Sequence, residues 1–82
     1  MARKTKSDRP LMRISRAAEA AGVTIHVIEY YILLGLISPI RVRGKHGRFF
    51  DEAIVKRIRL IRKLNRSGYT LRAIRETYLK NR

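Results

Sequence analysis

Between Ile14 and Pro39 the chain carries two helix starts and two helix stops in close succession, and this segmentation constrains the fold more than any other feature. Ser15 is a favoured N-cap for a first helix over 16–21, although Ala18 at its third position rules out a reciprocal capping box. Gly22 supplies the positive φ needed to leave that helix. Thr24 then caps a second helix from Ile25 to about Leu34, which Gly35 ends, with Pro39 beyond. Ile25, Val27, Ile28 and Ile32 are β-branched, so intrinsic propensity is poor and a strand is the competing local reading. The cap and the glycines decide for helix. Two short helices around a Gly turn make a helix-turn-helix: Ala18 is the small residue where they cross, and Ile28 and Tyr31 are inward anchors on the second. That register turns Thr24, Ile25, His26, Glu29, Tyr30 and Leu33 toward solvent or toward a major groove.

From Pro39 to Phe50 the period changes to that of a half-buried strand. Ile40 and Val42 alternate with Arg41 and Arg43, Gly44-Lys45-His46-Gly47 forms a turn, and Arg48-Phe49-Phe50 returns. The expectation is a β-hairpin with a basic tip. Phe49 and Phe50 point to opposite faces of such a strand, so one is expected in the core and the other partly exposed. Asp51 caps a longer helix with Ile54, Ile58 and Ile61 on one stripe and Val55 alongside. Lys56, Arg59, Arg62, Lys63 and Arg66 fall on the opposite face as a general electrostatic field. Gly68 ends this helix, and Thr70 caps a last one with Leu71, Ile74 and Tyr78 as its apolar stripe. The organisation is a basic, disordered arm over 1–10 and one domain over 11–82. Within the domain the helix-turn-helix covers 15–35, the hairpin 39–50, and the two further helices 51–66 and 70–80.

Charge identifies the class of partner. Twenty Lys and Arg oppose six acids, a net charge of +14 over 82 residues. Such an excess repels itself in a compact fold and favours a polyanion. No Cys is present, which excludes disulfides and thiolate metal sites, and the lone His26 and His46 make no metal site unaided. No cofactor, metal or catalytic residue is expected. There is no acid pair, nucleophile–base constellation or phosphate-cradling loop. The apolar run from Tyr30 to Leu34 is too short to span a bilayer, and the basic start lacks the apolar segment of a secretory signal.

The chain resembles the MerR family of bacterial transcription regulators. The resemblance rests on Ala-Gly-Val-Thr at 21–24, Tyr30-Tyr31, Leu34-Gly35-Leu36-Ile37, Pro39 and Arg48-Phe49-Phe50-Asp51. It continues through Ile58, Ile61, Leu64 and the Ser67-Gly68-Tyr69-Thr70-Leu71-Arg72-Ala73-Ile74 entry to the last helix. It implies a mainly α, winged helix-turn-helix fold with four helices and a small β-hairpin wing. It also implies a second helix in the major groove, and dimers on pseudo-palindromic promoter sites that are often distorted. Tyr30 becomes a phosphate contact by this resemblance, Arg48 occupies the family's wing Arg position, and Phe50 its core aromatic position. Two residues depart from the pattern: Glu29 stands where the family usually has Arg, and Ile32 where it usually has a polar residue. The resemblance also leaves the family's long C-terminal dimerisation helix and effector region beyond a chain ending at Arg82.

The reading that follows is a sequence-specific regulator that binds double-stranded DNA in the bacterial cytoplasm, at the nucleoid. The alternative is an architectural or excisionase-like recombination accessory protein with the same fold. An RNA-binding role is less favoured, because no aromatic stacking platform is visible. The candidate contact residues are Ser15, Arg16, Thr24, His26, Glu29 and Tyr30 on the helix pair, and Arg41, Arg43, Lys45, His46 and Arg48 on the wing. His26 and Glu29, three apart, either pair with each other or work separately. In the second case His26 donates to a base edge or phosphate and Glu29 accepts from a cytosine amino group. Ile32, Leu33 and Leu79 form an expected apolar patch for a homodimer or a protein partner.

Overall fold

The computed structural model describes the backbone of residues 10–79 and the side chains of residues 10–77. Helix α1 spans Ile14–Ala21, α2 spans Ile25–Leu33 and α3 spans Glu52–Arg66. The last helix, α4, opens over Leu71–Ala73 and continues in wider, π-type winding over Ile74–Leu79. This is the mainly helical, winged helix-turn-helix architecture expected. The expected arm, apart from Pro10, and the side chains of Tyr78 and Leu79 lie outside the described residues. No helix among the described residues is long and apolar enough to cross a membrane.

Three helices start on the side-chain caps that the sequence offers. Thr24 Oγ1 accepts from the Val27 amide at 3.2 Å, Asp51 Oδ1 from Ile54 at 3.0 Å and Thr70 Oγ1 from Ala73 at 3.0 Å. Helix α1 is the exception. It begins at Ile14, with Ser15 inside its first turn, and Arg13 at the N-cap position makes no side-chain cap bond. The cause is tertiary. Met12 exchanges both backbone hydrogen bonds with Phe50 at 2.8 Å, which holds the chain extended up to the helix start. Ile14 then packs against the core rather than preceding the helix.

Helix α1 ends at Gly22, whose φ of 74° lets the Val23 amide reach back to the Ala18 carbonyl at 3.0 Å. An L side chain disfavours this left-handed backbone, which is why the turn needs Gly. The same closure ends α2, where Leu36 reaches back to Tyr31 at 2.9 Å across Gly35. The π-type winding of the last helix was not expected. Both windings keep Ile74 inward, where it is fully buried, so the residue pattern does not distinguish them.

The core gathers Ala17 and Ala18 from α1, Ile28 and Tyr31 from α2, and Leu36 and Ile37 from the segment after it. Phe50, then Val55, Ile58 and Ile61 of α3, and finally Ile74 complete it. Small residues on α1 allow its backbone to lie close against α2 and α3. The deep stripe of α3 is Val55, Ile58 and Ile61, while Ile54 sits at its margin. Ile32 and Leu34 are half-buried against this core, so the expected apolar patch contracts, among described side chains, to Leu33 at 79 % exposure.

The wing departs furthest from expectation. Instead of a continuous hairpin ladder, two isolated antiparallel pairs form, Ile40 with Phe49 and Met12 with Phe50. Adjacent residues of the returning segment therefore bridge two different neighbours. Toward the tip, Lys45 bonds back to Val42 at 3.0 Å in a tight turn. The carbonyls beyond it are taken by side chains: Arg13 donates to His46 at 3.1 Å and Arg41 to Gly47 at 3.5 Å. These bonds replace the ladder. Phe49 is also more buried than expected, at 8 % exposure, because the Arg13 guanidinium covers its ring at 4.3 Å from the centroid.

Candidate nucleic-acid interface

Helix α2 divides into two faces. Ile28 and Tyr31 are buried, while Thr24, Ile25, His26, Glu29, Tyr30 and Leu33 are exposed. Burial pushes the Tyr31 phenol above its ordinary pKa, with the Arg62 guanidinium acting the other way. A phenol that stays neutral suits an anchor and not a titrating contact. The exposed face carries no core duty apart from Thr24, whose oxygen caps the helix and whose O–H remains able to donate.

The wing stands beside this face. Arg48, on the returning segment, reaches Glu29 with one contact, Nη2 to Oε2 at 3.2 Å. Among the described residues it is the one hydrogen-bonded pair between candidate residues of the helix and of the wing. Glu29 is thus tied to the wing and not to His26, whose side chain stands exposed. Arg43, Lys45 and His46 are exposed at the tip. Arg41 lines a depression with Leu11, Ile40, Val42, Arg43, Lys45 and Asp51. Tyr30, half exposed, lines a separate depression with Leu34, Leu36, Leu71, Arg72, Arg75 and Glu76. Ser15 and Arg16 are exposed on α1, where Arg16 faces Glu19 at 3.9 Å.

Besides Arg13, two further arginines do structural work that the sequence reading missed. Arg57 Nε donates to the Leu36 carbonyl at 3.0 Å, fixing the segment that follows α2. Its place on α3, one residue before Ile58, was a usable signal. Arg59 Nη2 donates to the Ala20 carbonyl at 2.6 Å, at the C-terminal end of α1 where a cation also complements the helix dipole. Nothing local marks it, because its partner is 39 residues away. With Arg62, Lys63 and Arg66, Arg59 lines a shallow groove of about 440 Å³ against Ala21 and Gly22. The cationic face of α3 therefore adjoins the turn of the helix-turn-helix.

Comparison with known proteins bears on this geometry. A family model described as MerR HTH family regulatory protein matches residues 12–80. The HTH-type transcriptional regulator MerD of Acinetobacter calcoaceticus is 36% identical over 62 residues, covering 74% of this chain and 50% of MerD. The nodulation protein NolA of Bradyrhizobium elkanii is 38% identical over 65 residues, covering 78% of this chain and 29% of NolA. Among solved structures, the transcription regulator PbrR691 from Ralstonia metallidurans CH34, in complex with lead(II), superposes with a TM-score of 0.72. It is 30% identical, and the match covers 79% of this chain and 51% of PbrR691. HiNmlR, a MerR family regulator lacking the sensor domain and bound to promoter DNA, shares the fold with a TM-score of 0.74 at 21% identity. That match covers 82% of this chain and 51% of HiNmlR. The chain spans about half the length of MerD and of both structures, and less of NolA. With the family model matched from the lead-in to α1 through the last helix, the chain belongs to the MerR HTH family of regulatory proteins.

Proposed function

We propose that this chain binds double-stranded DNA sequence-specifically as the DNA-reading part of a MerR-type transcription regulator. The observation that carries the reading is the exposed face of α2, free of core duty and flanked by a cationic wing. Thr24, His26 and Glu29 face the major groove in this reading, and Tyr30 meets a phosphate. Arg41, Arg43, Lys45, His46 and Arg48 hold the adjacent backbone, with Ser15 and Arg16 at the start of α1. The promoter DNA bound to HiNmlR, a protein of the same fold, supports the choice of duplex over RNA. The role is binding without catalysis, in the bacterial cytoplasm at the nucleoid. A homodimer or a protein partner at the surface around Leu33 belongs to the same proposal.

Selection from a randomised duplex pool tests the reading. One short site should emerge, preferred over random sequence by roughly 10³-fold or more. Uniform binding across duplexes, or a preference for folded RNA, would refute it. Replacing Arg43 or Lys45 by Ala should weaken binding to all duplexes and reduce the log–log salt slope by about 0.9 each.

A further inference from the structure

Glu29 is the single acid on α2 and stands on its outward face. Opposite a polyanion, a bare carboxylate is unfavourable. Among the described residues its side chain makes one polar contact, with Arg48, whose side chain likewise makes no other. The pair joins the helix to the wing through one nitrogen and one oxygen, and its side chains are 50 % and 31 % exposed. An ion pair this exposed is weak enough to exchange partners. The remaining guanidinium donors and the second carboxylate oxygen are chemically competent for new bonds.

We propose that Glu29 and Arg48 form an exchangeable lock that determines sequence specificity; the proposal rests on the DNA-binding reading above. On an arbitrary duplex the pair stays closed. Opening it would free Arg48 for a phosphate and leave the Glu29 carboxylate unpaired in the groove, so the gain and the cost oppose each other. Where a cytosine presents its N4 amino group at the major-groove edge, the carboxylate accepts from that group instead. Arg48 is then released to a backbone phosphate. One base identity thus controls two contacts, a base contact and a phosphate contact, and the second is absent from non-specific complexes. Glu29 therefore contributes more discrimination than a fixed acceptor at the same position.

The test is salt-dependent binding, followed by fluorescence anisotropy, of the wild-type chain, Glu29→Gln, Arg48→Ala and the double variant. The probes are a duplex selected by the wild-type chain from a randomised pool and a duplex of random sequence. For the wild-type chain the log–log salt slope should be steeper on the selected duplex, the lock adding about 0.9 for the extra phosphate neutralised. Glu29→Gln should remove that added difference by steepening the slope on the random duplex. It should also lower the preference for the selected duplex by about tenfold. Arg48→Ala should remove the added difference by flattening the slope on the selected duplex, and the double variant should match Arg48→Ala in slope. An unchanged slope difference in Glu29→Gln overturns the lock. So does equal strengthening on both probes, which would make Glu29 a fixed repulsive charge. A wild-type chain that treats both probes alike at every salt concentration defeats the DNA-reading proposal itself. A chain that discriminates, with slopes indifferent to Glu29, defeats only the lock. Glu29 is exposed and Arg48 half-buried outside the core, and circular dichroism melts of the variants should stay close to the wild-type curve.

Discussion

Arg13 holds the wing where a β-ladder does not. From the N-cap position of α1 its guanidinium lies over the Phe49 ring and donates to the His46 carbonyl. One flexible side chain thus joins the start of the helix-turn-helix to the tip of the wing. Gly47 is the neighbour that permits this. Its φ is 95°, and a Cβ there would run into the Arg13 guanidinium. Gly47→Ala combines left-handed backbone strain with that collision, and the expected loss is about 1–2 kcal/mol from the backbone term alone. For a domain of this size each kcal/mol lowers Tm by about 4–8 °C. Adding Arg13→Ala should remove the collision while leaving the strain, so it should deepen the loss by less than Arg13→Ala does alone. Strict additivity of the two melting shifts would show that Arg13 does not press on position 47.

At the scale of elements, α2 is a helix held by its surroundings. Four of its nine residues are β-branched, which lowers its intrinsic propensity. What retains it is the Thr24 cap, the closure at Gly35 and the burial of Ile28 and Tyr31. A peptide of residues 24–35 should show little helicity by circular dichroism, because a helix this short lacks the length to repay its nucleation. Thr24→Ala in the whole domain should cost about 1 kcal/mol and lower Tm accordingly. An unshifted Tm would mean that packing alone fixes the entry to α2. These features were legible in the sequence because each is local: a cap lies three residues from its amide and a closing glycine adjoins its helix. The outward face of α2 was legible for the same reason, since helical period alone separates Ile28 and Tyr31 from their neighbours. Other features depend on where distant segments meet. Ser15 yielded the start of α1 to a bridge formed by Met12 with Phe50, and Phe49 was buried by an arginine from outside the wing. Glu29 found Arg48 only because the wing folds back on α2, 19 residues away in the chain.

The whole domain folds against its own charge. The net charge of the 82-residue chain is +14, and three ion pairs are found on the described residues: Arg16–Glu19 at 3.9 Å, Arg48–Glu29 at 3.2 Å and Arg72–Glu76 at 3.7 Å. Exposed pairs contribute about 0–1 kcal/mol each. Added salt screens their attraction and also screens the repulsion among the excess cations, so the sign of the salt response reveals which is larger. With cations exceeding acids by 20 to 6 the repulsion is larger, and the Tm of the free protein should rise with NaCl. A bound duplex imposes the opposite trend. It stabilises the fold by mass action at low salt, and its affinity falls steeply as salt rises. Thermal melts of the protein alone and with a selected duplex should therefore converge as NaCl increases, the first curve rising and the second falling toward it. A free-protein Tm that falls with salt would show that attraction outweighs repulsion in the folded state. A separation that stays constant with salt would place the binding energy in uncharged contacts, against a cationic wing that works by displacing counterions.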